Sequence, residues 1–157
     1  MQQSQQRIQQ LHHRLTRIQH FYYRSSPGPL SVMGWEGEGR GSVRVDTQKH
    51  GCLFYESGRF YPARGTIVDM VNCFEWECGD DHVRLSHRRR GEAVYLFDLV
   101  PEADGIWRSA TPHHCGDDIY RGVLTLETEQ ISLQWRVTGP RKDEHFHYIY
   151  SETAISD

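Results

Sequence analysis

Two periods of hydrophobicity divide the chain. In residues 1–23 the apolar positions Ile8, Leu11, Leu15, Ile18 and Tyr22 recur at spacings of three and four, in a Gln-rich stretch free of Gly and Pro. That is the period of one helix face. The seam stops before the breaker Ser25-Ser26-Pro27-Gly28-Pro29, so an amphipathic helix is predicted over residues 1–24. Two heptads do not hold as a free coiled coil, so the seam needs a surface to lie on. That surface is the outside or one end of the remaining fold or, alternatively, the same helix of a second copy in a homodimer. From Leu30 onward the period changes to short segments rich in Val, Ile, Tyr, Phe and Trp, punctuated by Gly, Asp and Pro about every ten residues. Strands are predicted near 31–46, 50–57, 65–77, 81–88, 92–99, 105–109, 118–128, 131–138 and 142–150.

Alternation is clearest late in the chain. Ile131, Leu133, Trp135 and Val137 share one face there and Ser132, Gln134 and Arg136 the other. In the last strand Phe146, Tyr148 and Tyr150 oppose His145, His147 and Ile149. The first predicted strand is rich in glycine (Gly34, Gly37, Gly39, Gly41), which in a strand marks a bend, a bulge or a close backbone approach. Residues 93–99 are apolar on both faces, as if their outer side lay under the helix. About eight to ten short strands joined by tight turns favour closure, because a closed ring leaves no exposed edge. The predicted fold is mainly β: a single antiparallel up-and-down barrel over residues 30–151 with an N-terminal α-helix. An open sandwich is the alternative.

Composition narrows the function classes. Only 37% of residues are hydrophobic, but four Trp, eight Tyr and six Phe supply large buried areas and suit a sheet protein. A net charge of −3 provides no global field for nucleic acid or an anionic membrane. The only strong basic run, His87-Arg88-Arg89-Arg90-Gly91, reads as a solvated hairpin turn. Met1–Gln10 has no apolar leader segment, and no stretch approaches the ~18 apolar residues of a membrane span, so a cytoplasmic protein is expected. Four cysteines at irregular spacing, with no CxxC pair, read as reduced thiols.

The densest chemistry lies in the pattern His113-x-Cys115-x-x-Asp118-x-Tyr120-x-Gly122, followed by Trp135-x-Val137-x-Gly139-Pro140-x-Lys142-Asp143. This pair of motifs resembles a family of uncharacterised small proteins, mainly bacterial, with a lipocalin-like (calycin-type) β-barrel. Gly34-Trp35 is similar to the start of the first strand of that fold, and Phe74-Glu75-Trp76 matches it loosely. The likeness covers residues 30–151 and leaves out the Gln-rich helix. It implies the barrel and no activity, because one such scaffold hosts both carriers and enzymes.

Each motif carries a chemical reading and a structural one. As a ligand site, Trp35, Phe74, Trp76, Tyr95, Phe97, Tyr120 and Trp135 would line an apolar cavity, with Arg136 or Lys142 neutralising an anionic group at its mouth. The structural alternative is that the aromatics fill the barrel. As a catalytic set, Cys115 would be a nucleophile activated by His113 or His114, oriented by Asp118 and joined by Tyr120. No glycine-rich elbow or helix N-terminus marks an oxyanion hole for it. In the structural reading Asp118 caps a turn and Gly122 lets a neighbour approach. As a metal site, His113, His114 and Cys115 would join His145 and His147, although no HxxxH or CxxC spacing supports that. A tight hairpin at Gly139–Arg141 would set His145 beside Trp135 and His147 beside Leu133. No cofactor is indicated, and a small molecule is the expected partner.

Overall fold

The computed structural model describes residues 2–28, 36–111 and 113–153, which leaves Trp35, one of the expected cavity aromatics, outside the described residues together with Gly34. The helix α1 spans Gln2–Thr16. Among the described residues eleven strands follow: β1 His20–Pro27, β2 Gly37–Gln48, β3 Gly51–Pro62, β4 Val68–Cys78, β5 Val83–Arg89, β6 Glu92–Ala103, β7 Ile106–Ser109, β8 His113–Cys115, β9 Asp118–Glu127, β10 Gln130–Thr138 and β11 Asp143–Ser151. Strands β1 to β7 pair in chain order, β7 pairs with β9, β9 with β10 and β10 with β11. The register of β11 against β1, from His20 opposite Ser151 to Pro27 opposite Glu144, closes the ring. The protein is thus mainly β, a closed antiparallel barrel of ten strands with one N-terminal helix. Closure removes the open sandwich.

The helix is shorter than the sequence predicts. It ends at Thr16, where i→i+3 bonds from the N–H groups of Arg17 and Ile18 to the carbonyls of Arg14 and Leu15 tighten the last turn. Residues 20–27 become a strand instead. Phe21 and Ser25 are buried, whereas Tyr22 and Arg24 face out, a period of two that the seam spacing from Ile18 to Tyr22 disguised. Pairing on both sides, to β2 and β11, outweighs any helical preference.

The seam itself is real, and it plugs one end of the barrel. Ile8, Leu11, Leu15 and Ile18 are buried in the single hydrophobic core, so the face that would pair two helices is spent inside the chain. Polar contacts fix the plug's rotation. The His12 ring meets the Gly51 carbonyl at 2.9 Å, the Arg14 guanidinium donates to the Gln130 carbonyl at 3.1 Å, and Glu152 pairs with Arg17 at 3.4 Å.

The core expected on β10 is observed: Ile131, Leu133, Trp135 and Val137 are all buried. The register beside it is one residue away from the expected one. Thr138 pairs with Asp143 across a four-residue turn, so Trp135 lies opposite Phe146, His145 opposite Arg136 and His147 opposite Gln134. That slip turns both histidines to the outer face and Phe146, Tyr148 and Tyr150 to the interior. Residues 93–99 do not lie under the helix. Their double apolar face follows from a bulge opposite Leu85 and Ser86, which buries Leu96 and Phe97 in succession. Glycine permits one tight crossing: a Cβ on Gly41 would stand 2.1 Å from the Ser57 carbonyl oxygen on β3.

Candidate functional site

Opposite the helix the described residues leave part of the interior unfilled. A cavity of about 270 Å³ opens there, walled by Tyr23, Phe74, Trp135, Phe146 and Tyr148, with His87, Arg89, Tyr120, Lys142 and Glu144 toward its mouth. The walls are held by ring contacts. Trp135 stacks on Tyr148 at 5.7 Å and 12°, and Tyr23 on Phe146 at 6.2 Å and 12°. The mouth exists because the ladder is incomplete. Strand β6 pairs with β7 only from Leu99 onward, and β8 pairs with β9 without joining β6, so Val94 and Leu96 on one side and Tyr120 on the other border the opening.

The basic run is the exposed hairpin turn that the sequence predicts, with a difference at His87. The turn proper is Arg90-Gly91, both with positive φ (52° and 81°), a two-residue hairpin of the primed kind. His87 precedes it half-buried and Arg89 exposed, and both border the cavity. His87 stacks on Phe74 at 4.8 Å, and Arg89 Nε donates to its Nδ1 at 3.0 Å. A guanidinium has only donors, so Nδ1 is the acceptor and Nε2 carries the ring proton. Burial, aided by the Arg89 charge, pushes the His87 pKa down to about 4. At neutral pH this ring is an uncharged N–H donor.

Deeper in the barrel lies Glu56, 1% exposed, directly across the ladder from Asn72. The Tyr150 hydroxyl donates to Glu56 Oε2 at 2.6 Å. Tyr148, stacked on Tyr150 at 4.9 Å, is its other close polar neighbour, and Asn72 and Tyr148 both line the cavity. Oε1 has no hydrogen-bond partner among the described residues. Burial raises the carboxyl pKa to about 8 against the lowering effect of the Tyr150 bond, so the group is neutral at pH 7. Leaving a buried polar atom unpaired costs about 1–3 kcal/mol.

Among the residues expected to line a site, Tyr120, Phe74, Trp135 and Lys142 do reach the cavity. Trp76 is buried in the filled half against Phe54. Phe97 is also core, fitted against Gly122, where a Cβ would lie 2.5 Å from its ring. Tyr95 lies outside under the Arg84 guanidinium, 4.6 Å from ring centroid to Cζ. Arg136 points outward onto Asp143, with Nε to Oδ1 at 2.9 Å. The two sequence motifs do meet, at their turns. Lys142 pairs with Asp118 at 3.4 Å, and a Cβ on Gly139 would stand 2.1 Å from Asp118 Oδ1.

His113 pairs with Tyr120 through the backbone of β8 and β9, and the His113 side chain lies outside what is described. Cys115 is exposed beside the Gly116-Asp117 turn, and Asp118 is engaged by Lys142. His145 is exposed on the outer wall, and His147 shares a 2.9 Å hydrogen bond with Ser132. Among the described residues no three His, Cys, Asp or Glu side chains cluster so as to hold a metal ion. All four cysteines are free, and burial pushes the Cys52 thiol up to about 12. No described helix is long and apolar enough to cross a membrane.

Sequence reasoning missed Met70, Asn72, His87, Arg89 and Glu144 on the cavity wall, and Glu56 beneath it. The alternation of Glu144, Phe146 and Tyr148 was a usable signal for one wall. The model of a family of unknown function (DUF6314) matches residues 19–152, which takes in the whole ring of strands and omits the helix. No curated protein matches the chain.

Proposed function

Since the chain belongs to the family of unknown function DUF6314, which brings no activity with it, we propose from the barrel's own geometry that the protein is a lipocalin-like binder of a small aromatic or otherwise apolar molecule with an anionic end. One observation carries the reading. A cavity of about 270 Å³, closed below by the packed core and open at one end, has aromatic walls and two cationic side chains, Arg89 and Lys142, at its mouth. The apolar body would stack between Phe74, Trp135 and Tyr148, and the anion would take charge-assisted bonds from Arg89 and Lys142 and a neutral one from His87 Nε2. Glu144 on the same rim repels a second negative charge and so favours a single anionic group. A reducing, cytoplasmic setting is proposed on the four free thiols.

The test is native mass spectrometry of protein purified from its own host, with identification of whatever is released on denaturation. A stoichiometric apolar acid is the expected result, and Arg89→Ala should lose it. A bare chain that also fails to take up 2-naphthoate would overturn the reading.

A further inference from the structure

We propose that the cavity has a second opening, through the wall between β4 and β5, and that an anionic ligand enters there past Arg44 and Arg88, with the tip of the β5–β6 hairpin as the flap that widens it. This rests on the binding reading above and adds to it the entry route and the residues that favour an acid at the entrance.

The ladder of β5 on β4 stops early. Pairing runs from Cys78 opposite Val83 to Phe74 opposite His87, yet β4 reaches back to Val68 and β5 continues to Arg89. Beyond that last pair no ladder joins the two strands among the described residues, which leaves a slit in the wall. Three side chains show that the slit passes through it. Asn72, His87 and Arg89 border the interior cavity, and the same three border a groove on the outer face that also includes Arg44, Tyr55, Cys73 and Arg88. The hairpin tip is held only from its base. On its other edge β6 pairs with β7 only from Leu99 onward, so residues 88–94 project past both neighbouring ladders. At the base the β5–β6 register shifts between Leu85 and Ser86, and a bulge bends and twists its strand, which makes that base the hinge. A two-stranded hairpin without flanking strands has little stability of its own, so moving the tip costs little.

The charge of the groove selects the acid. Arg44 faces Tyr55 and Tyr55 faces Cys73 in register, and Cys73 lies one step beyond the last β4–β5 pair, toward Arg88. Arg44 and Arg88 therefore end one cross-strand row, three strand spacings or roughly 14 Å apart at the backbone. Arg44 rests over the Tyr55 ring at 4.3 Å, Arg88 is steadied by Glu75 at 3.1 Å, and Arg89 is held by His87 at 3.0 Å. Even with Glu75 and Glu56 both counted as charged, the three guanidiniums leave the groove net positive, which concentrates anions at the slit. Successive residues of β5 point to opposite faces, so Arg88 meets the acid outside and Arg89 receives it at the cavity.

The experiment follows 2-naphthoate binding to the full chain by stopped-flow tryptophan fluorescence, in a Cys115→Ser background that removes the exposed thiol. Arg88→Cys sets a second thiol across the slit from the native Cys73, and oxidation then ties the hairpin to β4. Relative to its own reduced form, the tied protein should associate and dissociate about tenfold more slowly with Kd little changed, because a closed flap obstructs passage in both directions. Arg44→Gln combined with Arg88→Gln, both outside the cavity, should slow association about fivefold at low salt, leave dissociation within about twofold, and flatten the salt dependence of association. A tie that does not form, or one that forms and leaves both rates alone, overturns the side entrance while the binding reading stands. Unchanged association after loss of both arginines overturns their part in it. If 2-naphthoate does not bind the unaltered chain, the binding reading falls and the entrance falls with it.

Discussion

The two ends of the barrel are made from the same ten strands and resolve their interiors in opposite ways. At one end a helix contributes Ile8, Leu11 and Leu15, and the inward side chains of the strands meet them in a filled core. At the other end no described helix enters, β6 pairs with β7 only from Leu99 onward, and aromatic side chains lean on one another around the cavity. Closing a barrel and filling it are therefore separate achievements. The strands close the ring, and part of the filling comes from a segment that the family match does not include. Stability should concentrate at the plugged end and binding at the open one.

The largest expected effect breaks the plugged end. Leu11→Asp places an unpaired charge where exposure is 0%, and should cost about 4 kcal/mol or more in urea unfolding. Leu15→Ala, also fully buried, should cost about 2–5 kcal/mol without abolishing the fold. At the open end Trp135→Ala should fall near the low limit of its class, about 3 kcal/mol, because one side of the ring already borders a cavity. The same change should abolish 2-naphthoate binding. A Trp135 cost above that of Leu11→Asp would reverse the comparison.

The pH dependence of stability separates two groups of the cavity end by sign. The Glu56 carboxyl holds its proton to about pH 8 in the folded protein but only to about 4.5 when unfolded. Between those values the folded state binds more protons, so stability falls as pH rises through the window. His87 acts the other way. Its ring takes a proton at about 4 when folded and 6.5 when unfolded, so stability is lost as pH falls from 6.5 toward 4. Above pH 6.5 only Glu56 contributes of the two. Thermal melts of Glu56→Gln should therefore lose the alkaline decline between pH 6.5 and 8 and keep the acid one. The smallest expected effect is that of Lys142→Ala. Its pairing with Asp118 is half exposed, and removal should cost under about 1 kcal/mol of stability while weakening naphthoate binding about tenfold.

The parts of the fold legible in the sequence were those governed by local period. The buried stripe on β10 follows from alternation, and the helical seam from its three-four spacing. Strand β1 was hidden because Tyr22, an outward residue of a strand, falls where a helix seam would place its next apolar position. One unforeseen residue in the β10–β11 turn was enough to reverse His145 and His147. The site was legible only in its chemistry. Tyr120, Trp135 and Lys142 line the cavity, whereas Arg136 and Tyr95 are one position out of phase with the interior. Glu56 could not be found, because its partner Tyr150 is 94 residues away and only ring closure brings them together.

Closure through β1 and β11 also sets the order of events in folding. The eight paired positions that complete the ring join residues 20–27 to residues 144–151, among the longest sequence separations the chain contains. Contacts of that range demand the largest loss of chain entropy before they return anything, which places them late and makes folding slow. During synthesis β1 leaves the ribosome long before its partner and waits with one unpaired edge, as does the helix, whose anchor Glu152 comes later still. The nascent chain should therefore gain protease resistance in a single step, once the segment ending at Glu152 has emerged.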